Sequence, residues 1–132
     1  MRNYRNLNHW YQAKVLKGNK IGRTINFPTI NLDPKVLSNV TKQGVYASLV
    51  KAHGKTYQGA AFYGARKVLK EIKTVLEIHL LEFDKNIYDE EIGFCFKRYI
   101  RGVKDFKNLT ELKQQLYQDV QAVKSHFSKV SP

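Results

Sequence analysis

The segment Thr74-Val75-Leu76-Glu77-Ile78-His79-Leu80-Leu81-Glu82-Phe83 carries the strongest β-strand pattern in the chain. Leu76, Ile78 and Leu80 would share one face of this strand, and Glu77 would lie on the other. A carboxylate on such a strand is unusual, because burying it is costly unless it is paired or used. Two interpretations stay open at this point. Glu77 could be a general base for a substrate hydroxyl, or it could be a surface residue on a solvated face.

Further strands are predicted on both sides of this segment. Residues 44–50 and 56–63 read as a hairpin, because two β-rich runs flank a short stretch of turn residues. Gly59 inside the second run indicates a bulge, a close backbone approach or merely a weak strand. Shorter strands are predicted at 11–17, 29–32 and 91–100. The stretch 35–43 and the basic stretch 64–73 are predicted as connections, although Val68-Leu69 could sit in a short strand.

The end of the chain changes period. Apolar residues spaced three or four apart predict an amphipathic helix over about 109–127, with Asn108 as its N-cap and Glu111 completing a capping-box-like start. Short strands followed by one helix predict a mainly β fold, a small closed barrel with the C-terminal helix packed against it. We expect residues 1–10 to form an N-terminal arm and 11–132 to form one domain.

Composition excludes several classes of protein. The chain has 132 residues and a single cysteine, Cys95, which excludes an internal disulfide framework and a cysteine-based zinc site. We expect Cys95 to be a small buried hydrophobe. No run reaches the roughly 18 apolar residues of a membrane span, and the polar N-terminal residues carry no signal-peptide core. We therefore expect a soluble, cytoplasmic protein, and we also expect it to be a monomer.

The net charge of +12 is open to two interpretations. A basic surface attracts polyanions such as ATP or nucleic acid, but it can equally be a solvated surface that keeps a protein soluble. Because the positive residues are scattered along the chain, the pattern favours the solvated surface. Attraction of a small anionic substrate would be an added effect.

A glycine-containing loop at 18–26 precedes a short polar motif. Gly18 and Gly22 allow backbone N–H groups to approach a ligand closely, and Lys20 and Arg23 could neutralise phosphate charge. The loop has neither the GxxxxGK[ST] nor the GxGxxG spacing, and such loops are more often ordinary solvated loops than nucleotide sites.

The motif that follows this loop is Pro28-Thr29-Ile30-Asn31. In an extended chain Thr29 and Asn31 point to the same side. Two neutral oxygens next to bound phosphate suit Mg²⁺, which prefers oxygen ligands. Another divalent metal could take the same place.

With these segments in view, the chain resembles the riboflavin kinase family. The resemblance rests on the glycine loop, Pro28-Thr29-Ile30-Asn31, Gly44-Val45-Tyr46, the Leu76–Phe83 strand and the Ile100-Arg101…Phe106 segment. These occur in the family's order and cover about 11–127. In bacteria this domain is usually fused behind an FMN adenylyltransferase module, so the sequence corresponds to a stand-alone kinase or an isolated domain.

The resemblance implies a six-stranded Greek-key β-barrel with a C-terminal helix. It implies transfer of the ATP γ-phosphoryl group to the 5′-hydroxyl of riboflavin, which gives FMN and ADP. It makes Glu77 the catalytic base and Thr29 and Asn31 the Mg²⁺ ligands. The remaining implied positions are, for the nucleotide, Gly18, Arg23, Thr29, Leu80, Glu82 and Tyr88, and, for the flavin, Arg101, Lys104 and Phe106.

The sequence departs from the family pattern at four positions. Asn26 and Asp89 stand where the family commonly has glycine, Lys67 begins where a Pro-Thr is usual, and Val103 replaces a glutamate. These departures keep two other functions open. One is a flavin- or nucleotide-binding module without catalysis. The other is a basic barrel that binds single-stranded nucleic acid, although it would explain neither the Pro-Thr-x-Asn motif nor Glu77.

Overall fold

The computed structural model describes residues 7–17, 27–37, 41–68, 71–83 and 85–129, with only the backbone for 67 and 68. Six strands and one α-helix are found within these ranges. In chain order they are β1 (Trp10–Lys14), β2 (Ile30–Leu32), β3 (Gly44–Ala52), β4 (Lys55–Val68), β5 (Glu71–Leu80), β6 (Glu91–Arg101) and α1 (Leu109–Lys129).

The strands form one antiparallel sheet in the order β1-β6-β3-β4-β5-β2. Strands β3, β4 and β5 follow one another as a meander, and β6 returns to lie beside β3, which is the Greek-key arrangement. Past the end of β1, the Leu16 N–H donates to the Asn31 carbonyl in β2 at 2.7 Å. This bridge joins the two ends of the sheet, so the sheet curls into the barrel that the sequence predicted.

The inner face of the sheet holds the main core. Leu76, Ile78 and Leu80 of β5 pack there with the stacked rings of Tyr46 and Phe96, whose centroids are 4.3 Å apart. Gly59 faces Ile78 so closely that a Cβ on the glycine would lie 2.7 Å from the Ile78 Cγ2. Of the three interpretations of Gly59, close approach is therefore the correct one.

Helix α1 packs on the outside of the barrel. Val123 is fully buried against Ala47 of β3 and Leu81 at the end of β5. The Asn108 side chain accepts a hydrogen bond from the Glu111 N–H at 2.9 Å, which confirms the predicted N-cap. The Glu111 carboxylate reaches past the cap to the Lys107 N–H at 3.1 Å.

Two sequence predictions need correction. The basic stretch 64–73 is not a loop: β4 continues to Val68 and β5 begins at Glu71, so the two strands extend as a paired ribbon beyond the ends of their neighbours. Both faces of this ribbon are largely exposed, so its sequence lacks apolar alternation. The predicted strand 74–83 ends at Leu80, because Glu82 has a left-handed φ of +57°.

The first residues contact the barrel where they are described. Leu7 forms a parallel bridge with Phe96, and the Asn8 N–H donates to the Phe96 carbonyl at 2.8 Å. The boundary of an N-terminal arm at residue 10 stays a prediction. Cys95 is fully buried, as expected. Within the described ranges, the helices fall short of the length and apolar character needed to cross a membrane.

Candidate active site

The site is built on the outer face of β5, opposite the apolar core. Glu77 pairs with Asn31 of β2 on one side and with Phe62 of β4 on the other. Directly opposed residues of antiparallel strands share a face, with Cβ atoms about 4.5–5.5 Å apart. The structure thus brings together Asn31 and Glu77, which the sequence separates by two whole strands.

Glu77 is not a solvent-exposed carboxylate. Its exposed fraction is only 4% although it lies on the outer face. Its Oε1 accepts a hydrogen bond from Nη1 of Arg66, a residue of β4 that was not predicted to belong to the site. The Arg66 guanidinium also lies over the Phe62 ring, 4.4 Å from the ring centroid. The surface interpretation of Glu77 is therefore wrong, and the buried carboxylate has a partner.

His79 anchors the segment that leads into β2. Its Nδ1 lies 2.8 Å from the Pro28 carbonyl oxygen, which can only accept, so Nδ1 carries the proton. Its ring is 5.2 Å from that of Phe27. Burial lowers the pKa of His79, which favours the neutral imidazole at neutral pH. Thr29 lies between this anchored carbonyl and β2.

The donor set at this place fits Mg²⁺ better than a softer metal. The Thr29 hydroxyl and the Asn31 amide oxygen are neutral, hard oxygen donors, and Asn31 lies beside the carboxylate of Glu77. In the described part of the chain, no group of three His, Cys, Asp or Glu side chains could hold a metal by itself. A cation here would therefore need oxygens from a bound phosphate or water to complete its coordination.

The residues assigned to the nucleotide fall into three groups. Gly18 and Arg23 lie outside the described residues, as does the whole glycine loop. Leu80 is buried in the barrel core with only 4% of the residue exposed, so it offers a ligand little surface. Glu82 is exposed, and Tyr88 is 52% exposed.

Two of the four residues that depart from the family pattern are described with their side chains. Asp89 has a φ of +74°, a left-handed conformation, which explains why glycine is usual at this position. Val103 is 40% exposed in the segment after β6. Asn26 lies outside the described residues, and Lys67 is described only by its backbone in β4.

The residues assigned to the flavin form a polar network with α1. Arg101 donates from Nε and Nη2 to the two carboxylate oxygens of Asp119, both at 2.8 Å, and from Nη1 to the Gly102 carbonyl at 2.9 Å. Lys104 donates to the Gln115 side chain at 3.0 Å. Phe106 is half-buried. The two cations thus order the segment between β6 and α1.

Two ion-pair partners of predicted site residues were not predicted from the sequence: Arg66, which pairs with Glu77, and Asp119, which pairs with Arg101. A signal for Arg66 existed, because a carboxylate on an apolar strand calls for a nearby cation. Choosing among the 23 lysines and arginines, however, requires the register of β4 against β5. Asp119 carried no comparable signal, because a single acidic residue in an amphipathic helix is usually solvated.

Comparison with known proteins gives a consistent result. The profile of the family described as Flavokinase, riboflavin kinase, matches residues 6–127. A bifunctional riboflavin kinase/FMN adenylyltransferase of Haemophilus influenzae is 39% identical over 119 residues, which cover 88% of this chain and 38% of the relative. This chain therefore spans little more than a third of that relative's length.

Solved structures share the fold. A crystal structure described as a macrolide-efflux protein from Streptococcus pneumoniae superposes with a TM-score of 0.76 at 26% identity, covering 87% of this chain and 38% of that one. Riboflavin kinase from Trypanosoma brucei superposes with a TM-score of 0.64 at 23% identity, covering 91% of this chain and 80% of that one. The second likeness bears on the fold alone.

Proposed function

The chain belongs to the riboflavin kinase family, and from this premise we propose that it transfers the γ-phosphoryl group of ATP to the 5′-hydroxyl of riboflavin. The products are FMN and ADP. The observation that carries the proposal is the pairing of Asn31 with Glu77 on the outer face of the barrel. This pairing sets an acceptor for a hydroxyl proton beside an oxygen ligand suited to a nucleotide-bound cation.

The proposed division of labour follows the physics of phosphoryl transfer. The transition state is loose, so the protein acts mainly by positioning the reactants and neutralising charge. Thr29 and Asn31 would hold Mg²⁺, which when bound would neutralise phosphate charge on ATP. Glu77 accepts the hydrogen bond of the 5′-hydroxyl and aims its oxygen at the γ-phosphorus. It receives the proton as the new bond to phosphorus forms and the bond from the γ-phosphorus to the bridging oxygen breaks, which releases ADP.

The two substrates take different sides of this pair. We assign the nucleotide to Gly18, Arg23, Thr29 and the exposed Glu82 and Tyr88. We assign the flavin to the segment from Arg101 to Phe106. In this assignment Arg101 and Lys104 act by ordering the segment through Asp119 and Gln115, and Phe106 offers the apolar contact for the isoalloxazine ring.

The direct test is product formation. The protein is incubated with riboflavin, ATP and Mg²⁺, and FMN is separated from riboflavin by chromatography with fluorescence detection. We expect stoichiometric FMN and ADP, and no FMN when EDTA is present or when ATP is replaced by a non-hydrolysable analogue. Flavin binding without FMN, across Mg²⁺, Mn²⁺ and Zn²⁺ and a range of pH, would reduce the protein to a binding module.

The cation assignment has its own variant. Asn31→Leu removes the amide oxygen while keeping a side chain of similar volume. We expect the Mg²⁺ concentration for half-maximal activity to rise at least about tenfold, because one ligand is lost. The control is Gln118→Leu, which changes an exposed amide on helix α1. An unchanged Mg²⁺ requirement in Asn31→Leu would remove this residue from the metal site.

A further inference from the structure

Arg66 lies four residues beyond Phe62 along β4, and its side chain reaches the carboxylate of Glu77. Phe62 is the cross-strand partner of Glu77, and Arg66 lies on the same face as Phe62 because side chains alternate along a strand. The Arg66 side chain therefore folds back over the Phe62 ring, with 4.4 Å between its central guanidinium carbon and the ring centroid. Ring and carboxylate together fix the guanidinium.

The contact is selective at the level of single atoms. Nη1 of Arg66 donates to Oε1 of Glu77, and the Arg66 side chain remains 32% exposed while that of Glu77 is only 5% exposed. The side chain of Glu77 is thus shielded from solvent, whereas the side chain of Arg66 is partly exposed to it. On the opposite side of Glu77 lies Asn31.

We propose that Arg66 is a positioning residue for Glu77: it holds Oε1 toward β4, so that Oε2 is directed at the substrate hydroxyl. This inference rests on the proposed kinase function. In a loose transition state the direction of the accepting oxygen matters more than its basicity.

The carboxylate of Glu77 could take other orientations if Arg66 did not hold it. A buried carboxylate without a partner turns toward the nearest cation or toward water. For Glu77 one alternative is the cation that Asn31, its cross-strand neighbour on the other side, would hold. Without Arg66 the carboxylate would rotate to this cation, and the hydroxyl would lose its acceptor while both substrates could still bind.

The test is a double-mutant cycle in the full chain. Arg66→Met removes the charge and keeps a long apolar side chain over Phe62. We expect kcat to fall about 10- to 100-fold, with the KM values for ATP and riboflavin changing less than about threefold. Arg66→Lys can still donate one hydrogen bond to Oε1, so we expect it to recover a substantial part of kcat. In a Glu77→Gln background, Arg66→Met should lower kcat by no more than about twofold, because the carboxylate that Arg66 positions is already absent.

A matched control and a stability measurement separate this role from a structural one. Lys73→Met removes an exposed cation from the same ribbon, opposite Arg66 on β5, and should leave kcat unchanged. The thermal unfolding midpoint of each variant is measured alongside. A kcat loss of the same factor in the parent and in the Glu77→Gln background, or full activity in Arg66→Met, would overturn the positioning role while FMN formation by the parent still stands. If the parent forms no FMN, the proposed function fails first and this inference falls with it.

Discussion

Glu77 combines burial on the outer face of β5 with an ion pair to Arg66, its cationic partner among the described residues. A carboxylate in this position can be exchanged for an amide of the same shape without disturbing the packing around it. The Gln carbonyl can still accept the hydrogen bond of Arg66. What the amide cannot do is take up the proton of a hydroxyl.

We therefore expect Glu77→Gln to lower kcat about 10²- to 10⁴-fold while riboflavin binding is kept. Steady-state FMN formation gives kcat, and quenching of flavin fluorescence gives the dissociation constant. The control is Glu71→Gln, an exposed carboxylate six residues earlier on β5, which should be as fast as the parent. A Glu77→Gln protein with the parent's kcat would show that the base lies elsewhere.

His79 makes the fold sensitive to acid. Its pKa is lowered below the ordinary 6.5 by burial, whereas the unfolded chain takes up the proton near 6.5. Protonation therefore favours the unfolded chain, so the stability contributed by the neutral ring is present above about pH 6.5 and is lost as pH falls below it. The proton would add a charge where the Phe27 ring and the Pro28 carbonyl pack.

The variant His79→Asn keeps a donor for the Pro28 carbonyl but does not titrate. We expect its thermal midpoint to fall less steeply than the parent's between pH 7.5 and pH 5.5, as followed by circular dichroism. His126 also has a pKa lowered by burial, but it is present in both proteins, so the difference between them isolates His79. Parallel curves would mean that the His79 ring contributes nothing to the pH dependence.

At the scale of elements, α1 is fixed to the barrel by a buried ion pair. Asp119 is 2% exposed and receives two hydrogen bonds from Arg101, whose side chain is 14% exposed. Gln115 adds a third donor to the same carboxylate at 3.0 Å. Removing one charge of such a pair leaves the other buried without compensation.

Asp119→Asn should accordingly lower the free energy of unfolding by about 3 kcal/mol. Urea denaturation followed by circular dichroism measures this loss. The exposed pair Lys14–Asp89, with side chains 54% and 69% exposed, provides the comparison: Lys14→Met should cost less than about 1 kcal/mol. Equal losses in the two variants would show that the buried pair is not what holds the helix.

Elements were predictable from sequence where one side faces the core. The hairpin of β3 and β4, strand β6 and helix α1 alternate or repeat apolar residues because each has an inner face, and their predicted positions are confirmed. The ribbon formed by the ends of β4 and β5 has no inner face. Its residues were therefore predicted as a loop, although backbone pairing continues from Gly64 to Val68.

The same limit applies to the candidate site. Glu77 and Asn31 carried local signals, a misplaced carboxylate and a Pro-Thr-x-Asn motif, so both could be selected from the sequence. Their neighbours Arg66 and Asp119 act through contacts with other elements, which depend on strand register and on how α1 docks. Such contacts leave no periodic pattern in the amino-acid sequence.

At the scale of the whole molecule, the net charge of +12 bears on how the proposed kinase would capture ATP. A positive protein raises the local concentration of a polyanion, and added salt screens the effect over about 10 Å at 0.1 M. Riboflavin is uncharged and does not share it. The two substrates therefore offer an internal comparison.

We expect the KM for ATP to rise several-fold between about 20 mM and about 300 mM NaCl, with kcat changing less than about twofold. The KM for riboflavin, measured in the same series at saturating ATP, should stay nearly constant. If both KM values rise in parallel, salt acts on the protein itself and long-range attraction of ATP has no part in it.

Strand β2 is only three residues long, yet it holds one half of the Asn31–Glu77 pair and closes the sheet against the end of β1. Strands β3, β4 and β5 are neighbours in the chain, whereas β2 pairs with β5 although β3 and β4 lie between them in sequence. Contacts between residues so far apart in sequence form slowly. The Asn31–Glu77 pair thus depends on a strand of three residues that must meet a distant partner. A chain in which β2 does not pair with β5 would lack this pair, whatever the rest of the sheet retains.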